Sequence, residues 1–171
     1  MRELVDLLLR SKVPHLIVGG HAVGMHGGQR DTVDLDCLIA SANRRTMTEF
    51  LKSRGFEETA EKNSFSRFRH SSLLYPMLDL MEVDADTWQR MWDASVVKTF
   101  AGLTVRVPTA GHCVAMKLHA ISQNPPREWK DGEDIVRILR ANPGLFSRKD
   151  FEKLCERYAL SEIAAKIWNR V

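Results

Sequence analysis

Residues 15–39 read HLIVGGHAVGMHGGQRDTVDLDCLI, and the punctuation of this stretch decides the fold. Residues 15–18 are short and apolar, with Pro14 before them and Gly19-Gly20 after, the pattern of a buried strand entering a tight turn. Glycine allows the backbone to turn sharply and to approach a ligand closely. Residues 21–26 then make a short helix whose first amides point back at the turn. Free N–H groups there, together with the helix dipole, favour a phosphate. Gly27-Gly28 ends the helix. Residues 32–40 return as a strand carrying Asp34 and Asp36.

Two positions apart on a strand, Asp34 and Asp36 leave the same face, and Leu35 and Cys37 point the other way into a core. Carboxylates aimed together repel one another unless a cation sits between them. Hard oxygen ligands beside a phosphate site suit Mg²⁺. The plainer alternative is a glycine turn beside a solvated acidic strand end.

Working outward, residues 1–11 place Leu4, Val5, Leu8 and Leu9 on one helical stripe. Ser41 caps a helix running to about Arg54, with Met47, Phe50 and Leu51 inward and Gly55 as its stop. Arg44, Arg45 and Lys52 fall on its outer face, read as solvated. Residues 56–61 are a weak strand or loop, 65–69 alternate as a strand, and 77–83 (MLDLMEV) form a stronger apolar strand holding Asp79. Residues 84–93 make a short helix in which Trp88, Met91 and Trp92 share a core-facing side, and 103–107 is another strand. From Thr109, a plausible cap, the periodicity stays helical. Val114, Leu118 and Ile121 form a buried stripe with Lys117 among them. QNPPRE (123–128) is a breaker, 129–140 a second helix, and Ser147 and Ser161 start two more.

The chain of 171 residues suits one small sheet domain with a helical appendix. The expected fold class is therefore α/β (α+β): a small mixed-sheet core over 1–108 and a C-terminal helical bundle over 109–171. No run is long and apolar enough to span a membrane. Cys37, Cys113 and Cys155 are widely spaced and odd in number, which points to a reducing cytoplasm and away from a disulfide scaffold. A net charge of +3 permits a nucleic-acid partner without requiring one.

Gly19-Gly20, thirteen residues, and then Asp34-Leu35-Asp36 in an apolar strand form a joint pattern. It resembles the first motif of the DNA polymerase β-type nucleotidyltransferase superfamily. GGHAVGMHGGQRDTVDLD is most similar to the bacterial AbiEii-type toxin branch, where Arg-x-Thr-x-Asp-x-Asp is usual and here runs from Arg30 through Thr32 to Asp36. The later segment VPTAGHCVAMKLHAISQNPPREWKDGEDI looks like that branch's closing pattern, with Lys117, Arg127, Lys130, Asp131, Asp134 and Ile135 in the matching places. The family often has serine after the first glycine; Gly20 here removes that hydroxyl and keeps the amides.

The resemblance implies transfer of a nucleoside monophosphate from an NTP onto an acceptor hydroxyl. It implies two Mg²⁺ ions bridged by Asp34 and Asp36. A third carboxylate comes from a neighbouring strand; Asp79 is the matching residue, with Glu82 and Asp84 as competitors. Gly19 and Gly20 would hold the triphosphate, Lys117 and Arg30 would neutralise phosphate charge unless Arg30 pairs with Asp31, and Asp131 would orient Lys117 or the substrate. The acceptor implied is RNA such as tRNA, or a protein, in a toxin–antitoxin or phage-defence setting with a possible antitoxin partner. Two alternatives stand: a small-molecule acceptor, as for aminoglycoside or lincosamide resistance enzymes, and a non-catalytic nucleotide-binding module.

Overall fold

A computed structural model describes residues 1–28, 30–62 and 64–171. The chain divides into two compact units, residues 1–21 with 31–108, and residues 22–30 with 109–171.

The first unit is built on a five-stranded sheet. Its elements are α1 (Arg2–Arg10), β1 (Leu16–Ile17), the first turn of α2 (Gly19–Met25), β2 (Leu35–Ala40), α3 (Arg44–Ser53), β3 (Phe56–Lys62), β4 (Phe65–His70), β5 (Leu78–Val83), α4 (Ala85–Ala94), β6 (Val96–Phe100) and β7 (Leu103–Val107). The spatial order is β1-β2-β5-β4-β3, and β6 and β7 pair separately as an antiparallel ribbon. Only β2 and β5 run parallel among these pairs, joined by α3 and the β3–β4 pair.

One sheet face is apolar because alternate residues share it. Leu35, Cys37, Ile39, Leu78, Leu80 and Phe68 are all fully buried, as are Leu4, Val5 and Leu8 of α1 and Met47 and Leu51 of α3. Burial in this core pushes the Cys37 thiol far above its ordinary range, so it is an inert hydrophobe.

Several sequence readings shift. The helix after β1 starts at the glycines themselves, and β2 begins at Leu35, leaving Asp34 in a bend just ahead of it. Residues 56–62 form a full strand because β4 supplies its hydrogen-bonding partner, and β6 had no legible signal. Ser41 opens a short 3-10 turn, and no side-chain cap precedes α3. Arg44 is no solvated residue: it bridges Glu82 at 2.5 Å, Glu58 at 3.0 Å and Glu61 at 2.8 Å. Trp88 and Trp92 stack on each other at 5.3 Å, with Arg106 over Trp92 at 4.8 Å.

The second unit holds the rest of α2, then α5 (Ala110–Gln123), α6 (Glu128–Ala141), α7 (Arg148–Arg157) and α8 (Ser161–Trp168). Thr109 and Ser147 cap α5 and α7 by accepting from the His112 and Asp150 amides. Ile135, Val136, Ile138, Leu139, Phe151, Cys155 and Ile163 supply buried apolar surface.

Candidate active site

The acidic residues of the first unit are arranged by strand register. Asp36 on β2 and Asp79 on β5 are direct partners in the parallel pair. Asp79 in turn faces Arg67 on β4 across the antiparallel pair. Residues paired across neighbouring strands present their side chains to the same face, so Asp36, Asp79 and Arg67 form one row. Asp34 is two residues ahead of Asp36, at the mouth of β2, where the Leu35 amide donates to the Met77 carbonyl at 2.9 Å.

The two rival acids are occupied elsewhere. Glu82 has the opposite parity and accepts from Arg44 at 2.5 Å. Asp84 caps α4, accepting from the Thr87 amide at 2.9 Å and the Thr87 hydroxyl at 2.7 Å.

Gly19 lies against Asp36. Its φ is +60°, a left-handed conformation that L side chains seldom adopt. A Cβ built there would overlap the Asp36 carboxylate, 2.5 Å from Cγ and 2.8 Å from Cβ. The glycine is therefore what lets the turn close on this acid. Gly24 in the same helix is exposed and has open space around it. Gly19→Ala is expected to destabilise by about 2 kcal/mol, from backbone strain plus displacement of Asp36. Gly24→Ala is expected to stabilise by up to about 1 kcal/mol through helix propensity. Urea unfolding of both variants measures the contrast, and equal effects would remove the special role given to Gly19.

Arg67 was not singled out by the sequence, because register is invisible in one chain of letters. It holds Asp79 with a two-pronged fork, Nε donating to Oδ1 at 2.7 Å and the terminal nitrogen to Oδ2 at 2.6 Å. Asp79 is 7% exposed. The hydrogen bonds and charge of Asp79, and then the charges of Asp34 and Asp36, raise the guanidinium pKa further above its already high value. Among the described residues, no three His, Cys, Asp or Glu side chains are grouped to hold a metal ion. The donor set nevertheless fits a hard divalent cation in type, being all-carboxylate, with Asp36 and Asp79 aligned on one face. Asp34 and Asp36 are the residues that would hold it, while both Asp79 oxygens are taken by Arg67.

The remaining expected residues lie in the second unit. Lys117 on α5 is 8% exposed and reaches Asp131 Oδ1 and Asp134 Oδ2 on α6, each at 2.8 Å. Arg127 donates from Nε to Asp131 Oδ2 at 2.6 Å, and Arg30 donates to Asp134 Oδ2 at 2.5 Å. Arg30 thus pairs with Asp134 and not with its neighbour Asp31, which is exposed. Asp131 and Asp134 sit three apart on α6 and share a face, so one lysine meets both.

Burial opposes ionisation of Asp131, but Arg127 and Lys117 outweigh it and hold the carboxyl below its usual range. The unfolded chain therefore binds the proton more readily. This contribution is fully present above the unfolded value of about pH 4 and is lost as pH falls through the lowered folded value. Asp131→Asn is expected to flatten the acid limb of stability below about pH 4, read from melting temperature. An unchanged acid limb would mean that other carboxylates govern it.

No family model and no curated protein matches the chain. Solved structures do. The solution structure of the antibiotic-resistance factor ANT(2'')-Ia is 17% identical, with a TM-score of 0.69 over 98% of this chain and 95% of that one. The lincomycin-bound lincosamide adenylyltransferase LnuA is 16% identical, with a TM-score of 0.61 over 82% of this chain and 94% of that one. An antigenic nucleotidyltransferase-like protein from Paracoccidioides brasiliensis is 17% identical, with a TM-score of 0.61 over 98% and 88%. The chain has a nucleotidyltransferase fold, a mixed α/β architecture in which the expected fold class is met. No helix among the described residues is long and apolar enough to cross a membrane.

Proposed function

We propose that the protein transfers a nucleoside monophosphate from an NTP onto an acceptor hydroxyl. The observation that carries this reading is the side-by-side register of Asp36 and Asp79, with Gly19 closed against Asp36, on a nucleotidyltransferase fold. Divalent ions held at the acids would supply charge stabilisation for the entering hydroxyl oxygen and for the departing pyrophosphate. Asp34 and Asp36 are the anchoring carboxylates. Asp79, once freed from Arg67, accepts the proton of the attacking hydroxyl. The amides of Gly19 and Gly20 donate to phosphate oxygens, a role that needs backbone and no side chain.

Two acceptor classes are supported by different observations. The run from Arg30 to Asp36 and the Lys117 to Asp134 pattern support an AbiEii-like toxin acting on RNA or protein, with a cognate antitoxin. The likeness to ANT(2'')-Ia, whose crystal structure is known with adenylyl-2''-tobramycin, and to lincomycin-bound LnuA supports a small hydroxylated acceptor. The test is incubation with each α-labelled NTP and Mg²⁺, offered total RNA, cell extract, an aminoglycoside and a lincosamide in separate reactions. Label on RNA or protein selects the first class, and label on the antibiotic the second. No transfer, coupled with an NTP- and Mg²⁺-dependent rise in melting temperature, selects the non-catalytic nucleotide-binding module.

A further inference from the structure

Arg67 is a permanent cation placed among the acids of the proposed site, and its setting is specific. It stands directly opposite Asp79 in the β4–β5 register and takes both carboxylate oxygens. On its other side β3 carries an irregularity between Glu58 and Ala60, where the Thr59 hydroxyl donates to the Arg67 carbonyl at 3.3 Å. Such irregularities re-aim the strand beside them. The guanidinium also lies 5.8 Å from the centre of the Phe65 ring. The Arg67 side chain is 41% exposed while that of Asp79 is 9% exposed. The acid is therefore fixed, and the arm that holds it has a path to solvent.

A planar fork bound through two parallel hydrogen bonds neutralises one carboxylate and fixes its rotamer. It also occupies the two oxygens a metal ion would need. We propose that Arg67 is the resident counter-ion of the carboxylate row: it holds Asp79 while no divalent ion is bound, yields that carboxylate when one binds, and so sets the site's affinity for the ion. This rests on the nucleotidyl-transfer reading. Arg67 acts through Asp79 and is a positioning residue.

The competition has opposite consequences for stability and for binding. Without a metal, removing Arg67 strips the buried Asp79 carboxylate of two charge-assisted hydrogen bonds, so the fold weakens. With a metal, the same removal takes away a competitor, so binding tightens. A purely structural arginine would weaken both.

The experiment is calorimetric titration of Mn²⁺ alone into the full chain, comparing the natural protein with Arg67→Gln and Arg67→Lys, alongside melting temperatures with and without Mn²⁺. Arg67→Gln is expected to melt lower without Mn²⁺, to bind Mn²⁺ about ten-fold more tightly, and to show a larger Mn²⁺-induced rise. Arg67→Lys, which keeps the charge but not the fork, is expected to fall between the two and guards against loss of fold in the glutamine variant. In an Asp79→Asn background the gain from Arg67→Gln is expected to vanish. Equal or weaker Mn²⁺ binding by Arg67→Gln, with binding intact in the natural protein, overturns the counter-ion role and leaves the transfer reading standing. Absence of Mn²⁺ binding in every variant overturns both.

Discussion

Asp36→Asn is expected to abolish nucleotidyl transfer, by at least about a thousand-fold, while the protein stays folded. Three facts lead there. Asp36 is the acid that Gly19 closes upon, and its β5 neighbour in register is Asp79. Its side chain is half-buried on the face opposite Leu35, Cys37 and Ile39, and asparagine matches it in volume, so the substitution changes charge and not size. The amide removes a full negative charge where a cation is to be held and weakens the oxygen as a hard ligand. Asp34→Asn is expected to act in the same direction. Single-turnover transfer with an α-labelled NTP, beside an urea unfolding curve, separates loss of chemistry from loss of fold. Full activity in both variants would reject the acids as the reacting centre.

Lys117→Met is expected to destabilise the protein by about 3 kcal/mol or more. The lysine joins two carboxylates that are almost completely shielded from water, Asp131 at 0% and Asp134 at 1% exposure. Methionine fills much of the volume but supplies neither charge nor donors, and a buried carboxylate stripped of a partner is more costly than the pair was favourable. Each acid keeps one guanidinium, Arg127 or Arg30, which limits the damage. The compensating change is predictable from exposure. Adding Asp131→Asn to Lys117→Met should recover more stability than adding Asp134→Asn. The Arg127 side chain left behind is 43% exposed and can be solvated, while that of Arg30 is 12% exposed and cannot. Denaturant midpoints for the single and the two double variants give the answer, and equal recovery would contradict this ordering.

What the letters disclosed, and what they hid, follows from range. Period-two and period-3.6 patterns are local, so α1, β2, β4, β5, α4 and the helical run from Thr109 were legible from their own residues. β6 was not, because VVKTF alternates too briefly and its strand partner β7 lies further along the chain. β3 looked weak because it is polar along most of its length, and its strand character comes from β4. The same limit applies to charge. Arg44 looked like a solvated cation, yet it meets Glu58, Glu61 and Glu82, and Arg67, which read only as one polar position of an alternating strand, meets Asp79. Parity put Asp79 and Glu82 on opposite faces without choosing between them, and the alignment of Asp79 with Asp36 needed the parallel register. Gly27 and Gly28 read as a helix stop, and they do more than stop it. A Cβ on Gly27 would lie 2.8 Å from that of Ala141, and one on Gly28 would lie 3.2 Å from that of Arg137.

That close approach bears on how the chain can be cut. Residues 22–30 belong with 109–171, and they bring the His26 carbonyl to the Asn142 amide at 2.9 Å and Arg30 to Asp134. A fragment begun at residue 109 would lack this segment. It would expose the α6 surface at Arg137 and Ala141 and leave Asp134 short of a cation. Dissection of the protein into separately expressed pieces therefore has to follow spatial membership, with the early segment supplied in trans or fused through a linker.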